Sequence, residues 1–394
     1  MGGRFSAYVA LTVCRMDQRP PDKYKNRFLT NKYMRIVLKL GSSLLDGGSG
    51  INRILIDQLA NQIIGMKEHE FAIVTSGAIS TGMKKLGMAE KPRDVATLQA
   101  LAAVGQSDLM NAYEDAFEDR KTLAQVLLTN HDFSERMQYL NIRNTLNALL
   151  ARGIIPIINE NDTVTVMDIK KAAFGDNDTL AAHVSVAIDA DLLIIFTNVE
   201  GLYDRNPNMK GAKLIREVEC VTDELIGMCD GVSDLGKGGM LSKLRAARIA
   251  TEAAVKVVVC DGTAKGALKK AIHEEIGTLF MPKAVPKLNE RKHWLAFASE
   301  PKGRIVVNER AMQCAIGKSC GIIPADILSV SGNFDKGDVL EIAWVDGTVL
   351  CKGITNYFSH ELRKIKGKST EEIFRELGFA YSEAVSSSDM AVME

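Results

Sequence analysis

The chain has 394 residues, of which 46% are hydrophobic, and its 49 basic side chains balance 49 acidic ones. A chain of this length can bury a large core and is expected to form two or three domains. Zero net charge argues against a general attraction to nucleic acid or to an anionic membrane. No apolar run approaches the length of a bilayer span, so we expect no membrane role.

The cysteine and histidine patterns predict a reducing compartment and no structural metal. The seven cysteines are odd in number and include no CxxC pair. This pattern favours reduced thiols in the cytoplasm over a disulfide framework. The six histidines lack the spacing of zinc ligands.

The N-terminal residues 1–33 are predicted to be a poorly ordered extension. Two alternatives stay open. Met1, Gly2 and Ser6 fit the pattern for N-myristoylation, and the lack of acidic residues before Asp17 resembles a transit peptide.

The stretch 35–45, RIVLKLGSSLL, predicts a buried parallel strand followed by a tight turn. A lysine inside such a run, Lys39, is costly to bury unless its ammonium meets an anion. The carboxyl end of a central strand is where α/β sheets place ligands, and Gly41 with two serines could present N–H groups to an oxyanion. The alternative is an edge strand with Lys39 in water.

Strands and helices alternate along the next two hundred residues, which predicts a three-layer αβα domain with a mainly parallel sheet. Pro156 argues for an edge strand or a bulge at its position. The predicted strands are 36–40, 71–75, 123–128, 154–158, 192–203 and 255–260. The predicted helices are 51–69, one reaching Lys85, 93–118, 134–151, 179–189 and 240–254.

Two polar clusters and one glycine-rich turn stand at the ends of these elements. Residues 159–162 (NEND) and 175–178 (GDND) offer carboxylates and amides that could hold an ammonium group or organise lysines, although Asp176 or Asp178 could simply cap a helix. The turn in GKGGMLSK, 236–243, opens a helix whose N–H groups can meet phosphate. Lys243 in the first turn of that helix opposes the helix dipole, an unfavourable placement that points to a bound phosphate.

Residues 282–290 are predicted to be a linker, and residues 291–382 a small β-barrel or sandwich, followed by a tail at 383–394. Its predicted strands include WLAFAS (294–299), GRIVVN, DILSVSG, DVLEIAWV and VLCKGIT. A basic cluster follows, but basic residues barely outnumber acidic ones here, which disfavours RNA as a partner. The cluster comprises Arg363, Lys364, Lys366 and Lys368.

If the loops at the strand ends converge, they supply two lysines, glycine-rich N–H arrays and a carboxylate and amide pocket. They include no activated Ser, Cys or His. Phosphoryl transfer needs positioning and positive charge more than covalent chemistry. An acceptor that is already a carboxylate needs no general base, because it is ionised at neutral pH.

Seven motifs occur in an order and at intervals that resemble the amino acid kinase family over residues 34–281. The part after the linker resembles the PUA domain. The motifs are KLGSS (39–43), TSGAIS (75–80), LAAVGQ (101–106), INEND (158–162), GDND (175–178), GLY (201–203) and GKGGM followed by Lys243.

The closest resemblance is to the branch of the family that uses ATP to phosphorylate the γ-carboxylate of L-glutamate, the first step of proline biosynthesis. It implies that Lys39 and Lys243 straddle the transferring phosphoryl group and that Asp178 orients both lysines. It places the substrate at Ser76, Gly77, Asn161, Asp162 and Asn177. It places ATP at Lys39, Gly41, Ser42, Thr197, Asn198, Lys237, Gly238, Gly239, Met240, Leu241, Ser242 and Lys243.

The resemblance also implies Mg²⁺ carried on the ATP phosphates with no direct protein ligand, inhibition by L-proline, and a homodimer or homotetramer. A hand-off of the labile product to glutamyl phosphate reductase is a further expectation. Either Lys170 or Lys171 could match a family lysine. Two other functions stay open: a relative acting on aspartate, N-acetylglutamate, carbamate or UMP, and a regulatory or RNA-binding protein with a retired kinase fold.

Overall fold

A computed structural model describes residues 33–48, 50–164, 177–229, 239–283, 294–296, 299–317, 320–381 and 383–392. The chain divides into two compact units. The first comprises Met1–Asp132 and Leu140–Ala284, and the second comprises Phe133–Tyr139 and Val285–Glu394. Among the described residues, none of the helices combines the length and apolarity needed to cross a bilayer.

The first unit is built on an eight-stranded sheet in the order β3-β4-β2-β1-β5-β7-β8-β6. Every neighbouring pair is parallel except β7 with β8, which is antiparallel. The predicted mainly parallel sheet is therefore confirmed. The strands are β1 (Arg35–Leu40), β2 (Glu70–Val74), β3 (Leu123–Leu128), β4 (Ile155–Glu160), β5 (Leu192–Thr197), β6 (Glu217–Val218), β7 (Lys256–Asp261) and β8 (Thr278–Phe280).

Helices cover both faces of this sheet because its central strands are apolar on both sides. The helices between Ser42 and Ile272 are Ser42–Leu45, Arg53–Gly65, Ala78–Lys85, Val95–Phe117, Asn130–Ser134, Arg136–Leu150, Asn177–Ala187, Asp223–Cys229, Met240–Glu252 and Ala267–Ile272, and the second unit's segment Phe133–Tyr139 includes parts of Asn130–Ser134 and Arg136–Leu150. Ile36, Leu38 and Leu40 of β1 belong to a core shared with helices 53–65 and 95–117. Strand side chains alternate between faces, so Lys39 lies on the opposite face, with helices 177–187 and 240–252.

The prediction that Pro156 lies on an edge strand or at a bulge is wrong. Strand β4 lies between β3 and β2, and its pairing with β3 is regular from Ile155 to Glu160. The interior position is tolerated because pairing with β2 begins only at Ile157, so the missing N–H interrupts no bond on that side. The strand predicted at 192–203 is also shorter and ends at Thr197.

The second unit contains a five-stranded sheet in the order β10-β9-β11-β12-β13. Its strands are β9 (Gly303–Val307), β10 (Ile327–Gly332), β11 (Val339–Ala343), β12 (Val349–Thr355) and β13 (Val385–Val392). Its helices are Glu309–Gly317, Ser359–Ile365 and Thr370–Leu377, with a 3-10 turn at Pro324–Asp326. Inward apolar side chains such as Ile305, Leu340 and Ile342 form its core.

Three predictions for the second unit are corrected. Residues 294–296 of the predicted strand WLAFAS are helical, and the Ser299 N–H donates to the carbonyl of Trp294. The predicted tail contains β13, which pairs antiparallel with β12. Cys314 and Cys320 form a disulfide instead of reduced thiols. The fold brings their Cα atoms to 5.0 Å, a separation that sequence spacing cannot reveal.

Candidate active site

Two lysines from distant parts of the chain share one carboxylate at the carboxyl end of β1. Lys39 Nζ lies 2.5 Å from Oδ1 of Asp178, and Lys243 Nζ lies 3.1 Å from its Oδ2. Both lysines are 5% exposed and Asp178 is fully buried. The sequence placed these residues in one site, and the structure brings them together.

The fold explains this convergence. Lys39 is the penultimate residue of β1, while Asp178 and Lys243 each lie in the first turn of a helix. A carboxylate is favoured at a helix N-terminus and a cation is not. Lys243 is stabilised there by Asp178, which also accepts a hydrogen bond from Ser242 Oγ at 2.6 Å.

The electrostatic balance keeps Asp178 ionised. Burial alone would raise the pKa of its carboxyl, but the ammonium groups of Lys39 and Lys243 outweigh burial and hold the pKa below its ordinary value. A carboxylate this acidic is a poor proton acceptor. Asp178 is therefore suited to position the two lysines, and the cluster of three side chains keeps a net positive charge.

The turn after β1 borders Lys39. A Cβ built on Gly41 would lie 3.6 Å from Lys39 Nζ, and the carbonyl of Gly41 accepts from the N–H of Leu44 at 3.1 Å. Ser42 begins the short helix 42–45 and is exposed. The backbone of this turn therefore lies beside the ammonium group of Lys39.

A buried amide cluster lies directly next to Asp178, centred on Asn177. Its Nδ2 donates to the carbonyl of Thr75 at 2.7 Å, to Ser76 Oγ at 2.8 Å and to Asn159 Oδ1 at 3.1 Å. Its Oδ1 is buried and has no hydrogen-bond partner among the described residues. That oxygen is free to accept a hydrogen bond from a ligand.

The second acidic residue of the NEND motif, Asp162, is also buried. Asp162 is 9% exposed, and burial raises the pKa of its carboxyl to about 6, although the charge of Lys91 partly opposes this. A cation bound beside Asp162 would restore its ionised form. Asn161, next to it, is half-buried and accepts from Thr163 Oγ1, and Gly77 adopts a left-handed φ of 96° at the start of helix 78–85.

The predicted nucleotide residues lie at the same sheet edge as Lys39. Phe196 pairs with Leu40, so buried Thr197 and exposed Asn198 follow at the end of the neighbouring strand β5. Gly239 caps helix 240–252. Half-buried Met240, Leu241 and Ser242 form its first turn. Lys237, Gly238, Lys170 and Lys171 lie outside the described residues.

Sequence reasoning missed the residues that support the amide cluster. Asn159 accepts from Asn177 and donates to Oε1 of Gln106 at 2.9 Å. Tyr113 is fully buried, and its hydroxyl lies 2.8 Å from Thr75 Oγ1. Asn159 and Gln106 belong to motifs quoted above, but neither motif carried a role for them. Only their position behind Asn177 reveals one.

Comparisons with known proteins agree with this architecture. The family model described as the amino acid kinase family matches residues 34–261, and the PUA domain model matches residues 303–377. The chain therefore belongs to the amino acid kinase family, and its second unit carries a PUA domain.

Among the described residues, no group of three or more His, Cys, Asp or Glu side chains is arranged to hold a metal ion.

Relatives that match almost the whole chain are glutamate 5-kinases. The glutamate 5-kinase of Syntrophotalea carbinolica is 39% identical, covering 93% of this chain and 99% of the relative. That of Caldanaerobacter subterraneus is 41% identical over 92% of this chain and 98% of the relative. That of a Geobacter strain is 42% identical, with coverages of 93% and 99%.

Proposed function

We propose that this protein transfers the γ-phosphoryl group of ATP to the γ-carboxylate of L-glutamate, forming L-glutamyl 5-phosphate in the first step of proline biosynthesis. The observation that carries the proposal is the pair of ion pairs joining Lys39 and Lys243 to the buried Asp178. The family and its near-full-length relatives support the same reaction.

The chemistry needs charge compensation and alignment. A γ-carboxylate oxygen of glutamate attacks the γ-phosphorus, the bond from that phosphorus to the β,γ-bridging oxygen breaks, and ADP leaves with its electron pair. Lys39 and Lys243 together exceed the charge of Asp178 by one unit, so they stabilise negative charge on the transferring group. No proton leaves the acceptor, which fits a carboxylate in Asp178 that is too acidic to take one.

The substrate's amino-acid end would occupy the cluster next to the lysines. Asp162, once ionised, and Oδ1 of Asn177 would accept from the α-ammonium, and Ser76 with Asn161 would border the substrate. Because Asn177 and Asp178 are consecutive, the acceptor pocket and the lysine pair share one helix N-terminus. This arrangement sets the γ-carboxylate near the transferring phosphoryl group.

ATP would lie along the edge formed by Gly41, Thr197 and the first turn of helix 240–252. The Asp178 carboxylate is already engaged by both lysines, so the donor set fits Mg²⁺ carried on the nucleotide phosphates instead of held by the protein. When bound there, Mg²⁺ supplies charge neutralisation of the phosphates.

A substrate panel tests the proposal. ADP release is measured with ATP and, in separate reactions, L-glutamate, L-aspartate, N-acetylglutamate, carbamate and UMP. We expect release with glutamate and little with the others, since aspartate is one methylene shorter and N-acetylglutamate lacks the α-ammonium. Turnover with another acceptor and none with glutamate would contradict the proposal, as would tight RNA binding without any ATP turnover.

We further propose that L-proline inhibits by overlapping the glutamate pocket, where Asp162 would meet its ammonium. Competition between proline and glutamate in the same assay tests this.

We also propose a cytoplasmic homodimer or homotetramer that hands its labile acyl phosphate to glutamyl phosphate reductase. A sedimentation measurement tests assembly, and coupled flux above the free-diffusion value tests the hand-off.

A further inference from the structure

The LAAVGQ motif, residues 101–106, has no role in the function proposed above. It lies in the middle of helix 95–117, where that helix touches helix 78–85 backbone to backbone. A Cβ built on Gly105 would lie 2.0 Å from the carbonyl oxygen of Ala78, and one on Gly82 would lie 2.0 Å from that of Leu101. The two glycines permit this approach. It brings the next side chain, Gln106, up to the end of β4.

Gln106 begins a chain of side-chain amides that ends in the substrate pocket. Its Oε1 accepts from Nδ2 of Asn159 at 2.9 Å. Oδ1 of Asn159 in turn accepts from the Glu160 N–H at 2.9 Å and from Nδ2 of Asn177 at 3.1 Å. Each amide has one accepting and one donating end, so the orientation of one fixes that of the next.

This series of hydrogen-bonded amides leaves one polar atom of Asn177 unused. Its two Nδ2 hydrogens face three acceptors, whereas its buried Oδ1 has no partner among the described residues. If Asn159 turned over, its own Nδ2 would face Nδ2 of Asn177. Two donors would then oppose each other in a buried place, and the Asn177 amide would lose its alignment.

The bond to Gln106 is therefore part of what keeps Asn159 in place. Nε2 of Gln106 is buried without a partner among the described residues, so the bond that fixes this amide is the one to Asn159. The same helix makes a second contact two turns later, where the Tyr113 hydroxyl meets Thr75, whose carbonyl accepts from Asn177.

We propose that Gln106 is a positioning residue: through Asn159 it holds the Asn177 amide with Oδ1 turned toward the α-ammonium of the amino-acid substrate. This inference rests on the proposed function. Gln106 touches neither substrate nor ATP in this account. Its loss is therefore expected to weaken amino-acid binding selectively.

The test compares Gln106→Leu, which removes the acceptor, with Gln106→Glu as the matched control. The control keeps an oxygen acceptor for Asn159 and replaces Nε2, which has no partner among the described residues, by a second carboxyl oxygen. Steady-state kinetics give kcat and separate KM values for glutamate and ATP. We expect Gln106→Leu to raise the glutamate KM about tenfold with the ATP KM unchanged, and Gln106→Glu to stay within about threefold of wild type.

A double-mutant cycle with Asn159→Leu adds a readout that general loosening would not reproduce. If Gln106 acts through Asn159, the double variant binds glutamate no worse than Asn159→Leu alone. Additive losses would overturn the inference. So would an unchanged glutamate KM in Gln106→Leu, or an equal rise in both KM values. Gln106→Asn, which withdraws the acceptor without adding an apolar group, serves if Gln106→Leu does not fold.

The two proposals fail in different ways. A wild-type protein that shows no glutamate turnover would contradict the proposed function and this inference together. A wild-type protein that turns over glutamate, with a Gln106→Leu variant that matches it, would contradict the inference alone.

Discussion

Lys39 Nζ lies 2.5 Å from Oδ1 of Asp178, and that carboxylate has no exposed surface. Buried ions are costly unless paired, and here the second oxygen of the same carboxylate pairs with Lys243. The cluster keeps one positive charge in excess next to the buried amide side chains around Asn177. This excess is the physical basis for phosphoryl transfer in our account.

Removing the carboxylate should destabilise the first unit. In Asp178→Asn two buried ammonium groups lose their counter-ion, and we expect the free energy of unfolding at pH 7.5 to fall by about 3–5 kcal/mol. Urea-induced unfolding measures this. The matched control is Asp115→Asn, because Asp115 pairs with Arg53 on the surface, with side chains 65% and 54% exposed. It should change the free energy by less than about 1 kcal/mol.

The pH dependence of that loss has a defined sign. The folded pKa of Asp178 lies below its ordinary value, so its contribution is present above that value, about 3.9, and disappears as pH falls through the folded pKa. The difference between wild type and Asp178→Asn should therefore shrink in acid. A difference that grew on acidification would contradict the ion-pair account.

Glutamate binding should weaken below pH 6. In the proposed binding mode Asp162, whose pKa burial raises to about 6, must be ionised to hold the α-ammonium of glutamate. At pH 5 about a tenth of it is ionised, so we expect the dissociation constant by calorimetry to rise about tenfold from its value at pH 7.5. Asp162→Asn should bind weakly at both pH values. Equal pH dependence in the variant and the wild type would exclude Asp162 as the cause.

The same raised pKa makes a prediction for stability. Between the ordinary pKa and 6 the folded protein binds more protons at Asp162 than the unfolded chain does, so the free energy of unfolding falls as pH rises through this window. Asp162→Asn removes that penalty. It should be more stable than wild type at pH 7.5, by about 1–3 kcal/mol in urea unfolding, and a less stable variant would contradict the assignment.

The helix contact behind the pocket should not tolerate a methyl group. Gly105→Ala places a Cβ 2.0 Å from the carbonyl oxygen of Ala78, so the backbones must separate. We expect a loss of about 3 kcal/mol in the free energy of unfolding. Gly65→Ala is the control, because a Cβ there meets nothing within 4 Å. It should be neutral or stabilising by up to about 1 kcal/mol. Similar effects of both changes would refute the close contact.

Reduction of the disulfide should destabilise the second unit alone. Cys314 and Cys320 close a short loop, and releasing it should lower the free energy of unfolding by about 2 kcal/mol. Urea unfolding with and without dithiothreitol measures the effect. The double variant Cys314→Ser and Cys320→Ser should have the free energy of unfolding of reduced wild type, and dithiothreitol should not change it. Wild type that does not respond to reductant would show that the bond is absent in solution.

Much of the fold could be predicted because buried strands and helices have recognisable apolar patterns in the sequence. Strand β1 reads as apolar from Ile36 to Leu40 because both its faces are covered, and Lys39 stands out because a charge there needs a partner. Pro156 misled the prediction because a parallel strand can lack a neighbour at one position and still be interior. That depends on where β2 begins pairing, which the sequence around Pro156 does not encode.

Residue chemistry by itself predicted the site only where one residue was anomalous, and the resemblance to the family supplied the other roles. Lys243 opposes a helix dipole and Asp178 lies in a dense polar cluster, so the sequence indicates both as candidate site residues. Gln106 and Tyr113 are ordinary on a helix, and their role appears only when helix 95–117 is placed behind Asn177. The Cys314–Cys320 bond likewise depends on proximity in space.

The most direct test of the central claim is the turnover number of lysine variants in the full-length protein. Glutamate-dependent ADP release is measured for Lys39→Ala and Lys243→Ala. The control is Lys85→Ala, because Lys85 pairs with Asp108 at the surface. We expect kcat to fall at least about 100-fold in each active-site variant and to stay within about twofold in the control. Either active-site variant retaining near-wild-type kcat, while folded, would contradict the account.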